Sequence, residues 1–140
     1  MKIIFVCTGN TCRSAMAEAM FKKMLLEKNL NDIQVKSRGI AASPQLQVPE
    51  TVKRLMLEEN IDITRHKAEK LTEKDVEEAS LILVMETWQG VEIIQQYPQA
   101  ESKTFLLKKY VFESALKPDL KPNLESNSLE IYDPIGQSPE

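Results

Sequence analysis

Lys2-Ile3-Ile4-Phe5-Val6-Cys7-Thr8-Gly9-Asn10-Thr11-Cys12-Arg13-Ser14-Ala15 is the stretch that decides the fold. Residues 2 to 6 are a short apolar run without polar alternation, the pattern of a strand buried on both faces of a parallel sheet. From Ala15 to about Lys28, apolar residues recur at helical spacing: Met16, Ala19, Met20 and Met24, widened by Phe21 and Leu25. The methionines are expected to fill the core. Ser14 suits the N-cap of this helix, with Glu18 in its first turn.

A strand, a short loop and a helix N-terminus make an anion site from main chain alone. Loop N–H groups line a concavity, and the helix dipole adds partial positive charge. Gly9 and Asn10 are residue types that tolerate the left-handed backbone such a nest needs. Arg13 adds a fixed charge and a planar fork that matches two phosphate oxygens. A cysteine at the lip of such a nest is in a setting that favours thiolate, which can attack a bound phosphoryl group. Alone, Cys7 reads equally well as a small apolar residue closing a buried strand. The Cys-to-Arg spacing, the Gly-Asn pair and the following serine together favour the nucleophile.

Cys7 to Ser14, followed by Met16-Ala17-Glu18, resembles the signature loop of the low-molecular-weight protein tyrosine phosphatase family. That family's pattern is Cys, five residues, Arg and Ser at the extreme N-terminus, usually with Pro next, where this chain has Ala15. Proline there is a helix-start preference, so the change is a mild one. The resemblance covers about residues 1 to 137. It implies an α/β, three-layer, Rossmann-like phosphatase fold: a four-stranded parallel sheet in the order 2-1-3-4 with helices on both faces, in one domain over 1–140. It also implies Cys7 as nucleophile and Arg13 as phosphate ligand, with Thr8, Gly9, Asn10, Thr11, Cys12 and Ser14 completing the nest and Ser14 bonded to the Cys7 sulfur. The general acid is expected at Asp133 of Asp133-Pro134. Ser37 and His66, the chain's only histidine, are expected to bond Asn10 in a supporting network. Where the family has Ser-Ala-Gly, this chain reads Ser37-Arg38-Gly39. Ser138-Pro139-Glu140 reads as a helix start at the point where the family's final helix would run, so either the chain is a fragment or that helix is absent.

Further elements follow from local pattern. Strands are expected at 33–36, 80–84 and 104–107, and helices at 48–60, from Thr72 onward, and at 89–97. Thr72 with Asp75 three residues on resembles a capping box. Lys108 and Lys109 read as a solvated edge, and Phe112 to Ile131 as a long loop. Trp88 is expected to pack.

Substrate choice turns on Thr11. In tyrosine-directed members this loop position is usually aliphatic and β-branched, whereas the Cys-Thr-Gly-Asn-Thr-Cys-Arg form is similar to the protein arginine phosphatase branch. Residues 40–47 contain no aromatic, and Ile135 stands where tyrosine-directed members often carry tyrosine. Phosphoarginine on proteins is therefore expected, with phosphotyrosine as the alternative. Arsenate reductases of this fold need a further cysteine pair, and residues 13–140 contain no cysteine. A non-catalytic phosphoprotein-binding module would need neither Cys7 nor Asp133. Cys7 and Cys12 are expected to form a reversible disulfide under peroxide, which makes the activity redox-sensitive.

Composition bounds the rest. The chain has 140 residues, 28 % of them charged, and a net charge of −3, so no basic surface suggests nucleic acid. Its apolar runs are far shorter than a membrane span. Two cysteines in one loop do not form a secreted disulfide framework. The expectation is a cytoplasmic enzyme acting on phosphorylated proteins, with no metal and no cofactor.

Overall fold

In the computed structural model of the protein, which describes residues 1–116 and residue 131, the four strands form a parallel sheet in the order β2-β1-β3-β4. They are β1 (Lys2–Cys7), β2 (Gln34–Gly39), β3 (Leu81–Val84) and β4 (Thr104–Leu106). The helices are α1 (Arg13–Glu27), α2 (Glu50–Glu58), α3 (Glu73–Glu78), α4 (Thr87–Gln96) and α5 (Leu107–Leu116). A 3-10 turn, Pro98–Lys103, leads into β4.

Period-two alternation in β1 and β3 divides the core between two faces. Ile4, Val6, Ile82 and Val84 pack with Val76 of α3 and Ile93 of α4. Ile3, Phe5, Leu81 and Leu83 pack with Leu25 of α1, and with Leu107 and Tyr110 of α5. A third cluster, Cys12, Val48, Val52, Met56 and Ile63, joins α2 to the outer side of α1. Helices therefore cover both faces of a parallel sheet, as the resemblance implies.

Several local expectations are corrected. α1 begins at Arg13 and not at Ala15, and Ser14 does not cap it; no side chain caps this helix, because the Ser14 hydroxyl is turned inward onto Cys7. The methionine stripe is only partly core: Met16 packs against the third cluster, whereas the other two do not. Met20 and Met24 are 45 % and 49 % exposed, and the face on the sheet runs through Ser14, Ala17, Phe21 and Leu25. Trp88 is 46 % exposed on α4 and does not pack as expected. The expected edge and loop after β4 begin instead as α5, and Lys109 is buried. Asp133 and Ile135 lie outside the described residues, as does the chain end at Ser138-Pro139-Glu140.

The capping box at α3 is present. Thr72 Oγ1 accepts from the Asp75 N–H at 3.2 Å, and Asp75 Oδ2 accepts from the Thr72 N–H at 3.0 Å. Burial opposes ionisation of Asp75, but the Thr72 N–H and the Arg38 guanidinium outweigh it and hold the carboxyl below its ordinary value. A carboxylate with a lowered folded-state value stabilises the fold above the unfolded value of about 4, and that stability is lost as pH falls through the folded value. Asp75→Asn should therefore cost on the order of 1 kcal/mol at neutral pH, and its gap to wild type should close on acidification below about pH 4. Urea denaturation across a pH series measures this; a gap that stays constant would remove ionisation as the cause.

Candidate active site

The strand-to-helix turn closes on itself because Asn10 adopts φ 58°, in the left-handed region. The turn is braced from the next strand: the Ile40 N–H donates to the Cys7 carbonyl at 3.0 Å and the Ala41 N–H to the Thr8 carbonyl at 2.9 Å. Gly39 must be glycine for this approach. A Cβ there would lie 2.7 Å from the Thr8 carbonyl oxygen and 3.0 Å from the Asn10 nitrogen.

Asn10 is fully buried and held at every polar atom. Its Oδ1 accepts from the Glu69 N–H at 2.9 Å, and its Nδ2 donates to Ser14 Oγ at 2.9 Å. His66 Nε2 lies 2.6 Å from the Asn10 carbonyl, so that nitrogen carries the bonded proton. The Asn10 N–H donates to Cys7 Sγ at 3.3 Å. Ser14 Oγ lies 2.9 Å from Cys7 Sγ and 3.4 Å from the Arg38 carbonyl. Because Ser14 already accepts from Asn10, its single proton goes either to the sulfur or to that carbonyl. A Cys7 thiolate takes the proton's hydrogen bond; a Cys7 thiol donates its own to Ser14. His66 thus joins Asn10 as expected. Ser37 does not: its hydroxyl donates to Glu18 Oε1 on the first turns of α1.

Arg13 is buried with its charge paired. Nη1 donates to Glu86 Oε2 at 2.6 Å and to the Ile131 carbonyl at 2.8 Å, and Nη2 donates to Thr8 Oγ1 at 3.3 Å. Glu86 follows β3, so the guanidinium bridges the carboxyl ends of neighbouring strands β1 and β3. Gln89, also fully buried, locks this turn: its Oε1 accepts from the Met85 and Glu86 N–H groups at 3.0 and 2.9 Å, and its Nε2 donates to Thr8 Oγ1 at 3.1 Å.

Residues 2–138 match the model of the family described as low molecular weight phosphotyrosine protein phosphatase. The chain belongs to this family. Among curated members of the low-molecular-weight phosphatase family, it is 44 % identical over 112 residues to a protein-arginine-phosphatase of Bacillus subtilis, covering 79 % of this chain and 73 % of that one. It is 33 % identical over all 140 residues to the low molecular weight protein-tyrosine-phosphatase PtpB of Staphylococcus aureus, covering 85 % of that protein. A solved structure of the YwlE arginine phosphatase, a C7S mutant with a phosphorylated active-site serine, superposes with a TM-score of 0.79 at 33 % identity. It covers 99 % of this chain and 81 % of that one. The protein is a cysteine-based protein phosphatase of this family.

The nest residues Cys7 to Ser14 come together as the sequence implies, with His66 behind them. Cys12, a buried thiol, faces the cluster beside α2. Among the described residues no group of His, Cys, Asp and Glu could hold a metal ion, and no helix is long and apolar enough to cross a membrane. Sequence reasoning did not pair Glu86 with Arg13 or Gln89 with the turn after β3, missed Glu69, and read Glu18 only as a first-turn residue of α1. A signal for the first two was present: Glu86 and Gln89 stand three residues apart directly after an apolar strand, at the edge where open α/β sheets bind ligands.

Glu86→Ala leaves a buried guanidinium without its carboxylate. Breaking such a pair costs about 3–5 kcal/mol, and the loosened Arg13 should also bind vanadate more weakly. Urea denaturation and competitive inhibition by vanadate measure the two effects; unchanged vanadate inhibition would mean that Glu86 does not position Arg13.

Proposed function

We propose that the chain is a protein arginine phosphatase working through a phosphocysteine. The observation that carries the arginine reading is the pair of side chains flanking Gly9. A Cβ on Gly9 would lie 3.7 Å from both Thr11 Oγ1 and Leu46 Cδ1, so a hydroxyl and an aliphatic chain flank the loop at Gly9, with no aromatic side chain among these neighbours. The Thr11 hydroxyl suits the planar, N–H-rich phosphoguanidinium group. The greater identity to a protein-arginine-phosphatase than to PtpB supports the same reading. Phosphotyrosine is the second reading, favoured by the full-length match to a protein-tyrosine-phosphatase.

In this mechanism the loop N–H groups and Arg13 hold the phosphoryl oxygens, with Thr8, Gly9, Asn10, Thr11, Cys12 and Ser14 supplying the nest. Cys7 thiolate attacks phosphorus in line. The P–S bond forms as the P–N bond to the guanidine breaks, and Asp133 protonates the departing nitrogen. Asp133 then takes a proton from water as the water oxygen attacks phosphorus. The P–S bond breaks, and thiolate and inorganic phosphate are released. The Ser14 hydroxyl supports the thiolate at both ends of the cycle. The substrates are phosphorylated proteins, and a cytoplasmic setting keeps both cysteines reduced.

Phosphate release from phosphoarginine and phosphotyrosine tests this directly. Wild type should favour phosphoarginine, and Cys7→Ser should abolish turnover of both. Asp133→Asn should slow phosphoenzyme formation by roughly 10²–10⁴-fold. Thr11→Ile should shift relative kcat/KM toward phosphotyrosine by on the order of tenfold. An unchanged ratio in that variant would remove Thr11 as the selector.

Peroxide should inactivate wild type reversibly through a Cys7–Cys12 disulfide and inactivate Cys12→Ser irreversibly. Equal recovery with thiol in both would exclude the bridge.

A further inference from the structure

Arg38 stands at a position the family resemblance does not explain, and its side chain reaches toward the back of the nest. The guanidinium is largely buried and makes a different contact with each of its nitrogens. Nε donates to Asp75 Oδ2 at 2.9 Å, Nη1 donates to the Ser37 carbonyl at 2.8 Å, and Nη2 lies 3.3 Å from Glu69 Oε2. Asp75 belongs to α3, whereas Glu69 supplies the N–H that holds Asn10 Oδ1. The Arg38 main chain enters the same network, since its carbonyl is the alternative acceptor for the Ser14 proton.

We propose that Arg38 is a positioning residue for Cys7. It clamps the 69–71 stretch so that the Glu69 N–H, Asn10, Ser14 and the Cys7 sulfur stay in register. The main chain alone does not complete this clamp. The Gly39 N–H donates to the Glu69 carbonyl at 2.9 Å and the Leu71 N–H to the Gly39 carbonyl at 3.0 Å, which fixes the stretch along β2. Rotation about that ladder is resisted from the side by the Glu69 carboxylate, held by Arg38, with Arg38 itself anchored on Asp75. The left-handed turn at Asn10 is strained backbone that persists only where its surroundings over-determine it. Slackening at Glu69 therefore reaches the hydrogen bonds that stabilise Cys7 thiolate, through Asn10 and Ser14.

The inference rests on Cys7 being the nucleophile, and the experiment separates the two. Arg38→Ala, Arg38→Lys, Glu69→Gln, Asp75→Asn and Cys7→Ser are compared by kcat and KM, by the pH midpoint of Cys7 alkylation with iodoacetamide, and by thermal unfolding. Arg38→Ala should lower kcat by roughly five- to tenfold with little change in KM. It should also move the pH midpoint of alkylation upward, because the thiolate loses hydrogen-bond support. Arg38→Lys should recover part of both. Glu69→Gln, at a side chain exposed enough not to threaten folding, should reproduce the direction in smaller measure. Asp75→Asn should lower stability and, by loosening the Arg38 anchor, move the alkylation midpoint in the same direction by less than Arg38→Ala. Loss of stability in Arg38→Ala with midpoint and kcat unmoved would overturn the proposal, as would an Asp75→Asn shift larger than that of Arg38→Ala. An unmoved midpoint in Glu69→Gln would do the same if Arg38→Ala does not fold. Retained turnover in Cys7→Ser would instead defeat the nucleophile assignment itself.

Discussion

Everything at the site depends on one residue holding an unfavourable backbone. Asn10 turns the chain back at φ 58°, which for a residue with a Cβ costs on the order of 1–2 kcal/mol. The turn persists because three separate parts of the chain grip the same side chain and carbonyl: the Glu69 N–H, the Ser14 hydroxyl of α1 and the His66 ring. Each grip comes from an element fixed elsewhere, α1 by the sheet and the 66–71 stretch by its ladder on Gly39. The folded core thereby fixes the shape of a loop whose residue types permit it without enforcing it.

The sheet order explains where this occurs. From β1 the chain crosses to β2 on one side and later to β3 on the other, so the connections diverge at the carboxyl ends of β1 and β3. That divergence opens the crevice in which open α/β sheets bind ligands. The nest closes one wall of it and the Glu86–Gln89 turn the other. Arg13 and Thr8 connect the two walls.

Much of what is local was legible in the sequence, although the reading of Ser14 as the cap of α1 was not upheld. The apolar run of β1, the Gly-Asn turn and the Thr72–Asp75 box each state their geometry within a few residues. Contacts made by main chain at a distance were not legible. Nothing in the identity of Glu69 reveals that its N–H holds Asn10, and Ser37, expected on Asn10, donates to Glu18. Hydrophobicity found Phe21 and Leu25 on the buried face of α1 but misplaced Met20 and Met24. The methionines outweigh Ala17 and Ser14 on any apolar scale, yet the small residues lie against the sheet because a helix starting in a tight loop must approach it closely. α5 was missed because two lysines masked the spacing of Leu107 and Tyr110, although lysine stems tolerate burial along a helix.

The pairing of Arg13 with Glu86 has a consequence for how partners arrive. The strongest positive charge of the nest is cancelled at 2.6 Å, and the chain as a whole carries a net −3. Such a site projects little field beyond its own mouth, whereas electrostatic steering needs an uncompensated patch. Under the proposed function, recognition of a phosphoryl group then begins only once it is within reach of the N–H groups. Encounter with a phosphoprotein is consequently governed by diffusion and shape, and its rate should respond weakly to ionic strength.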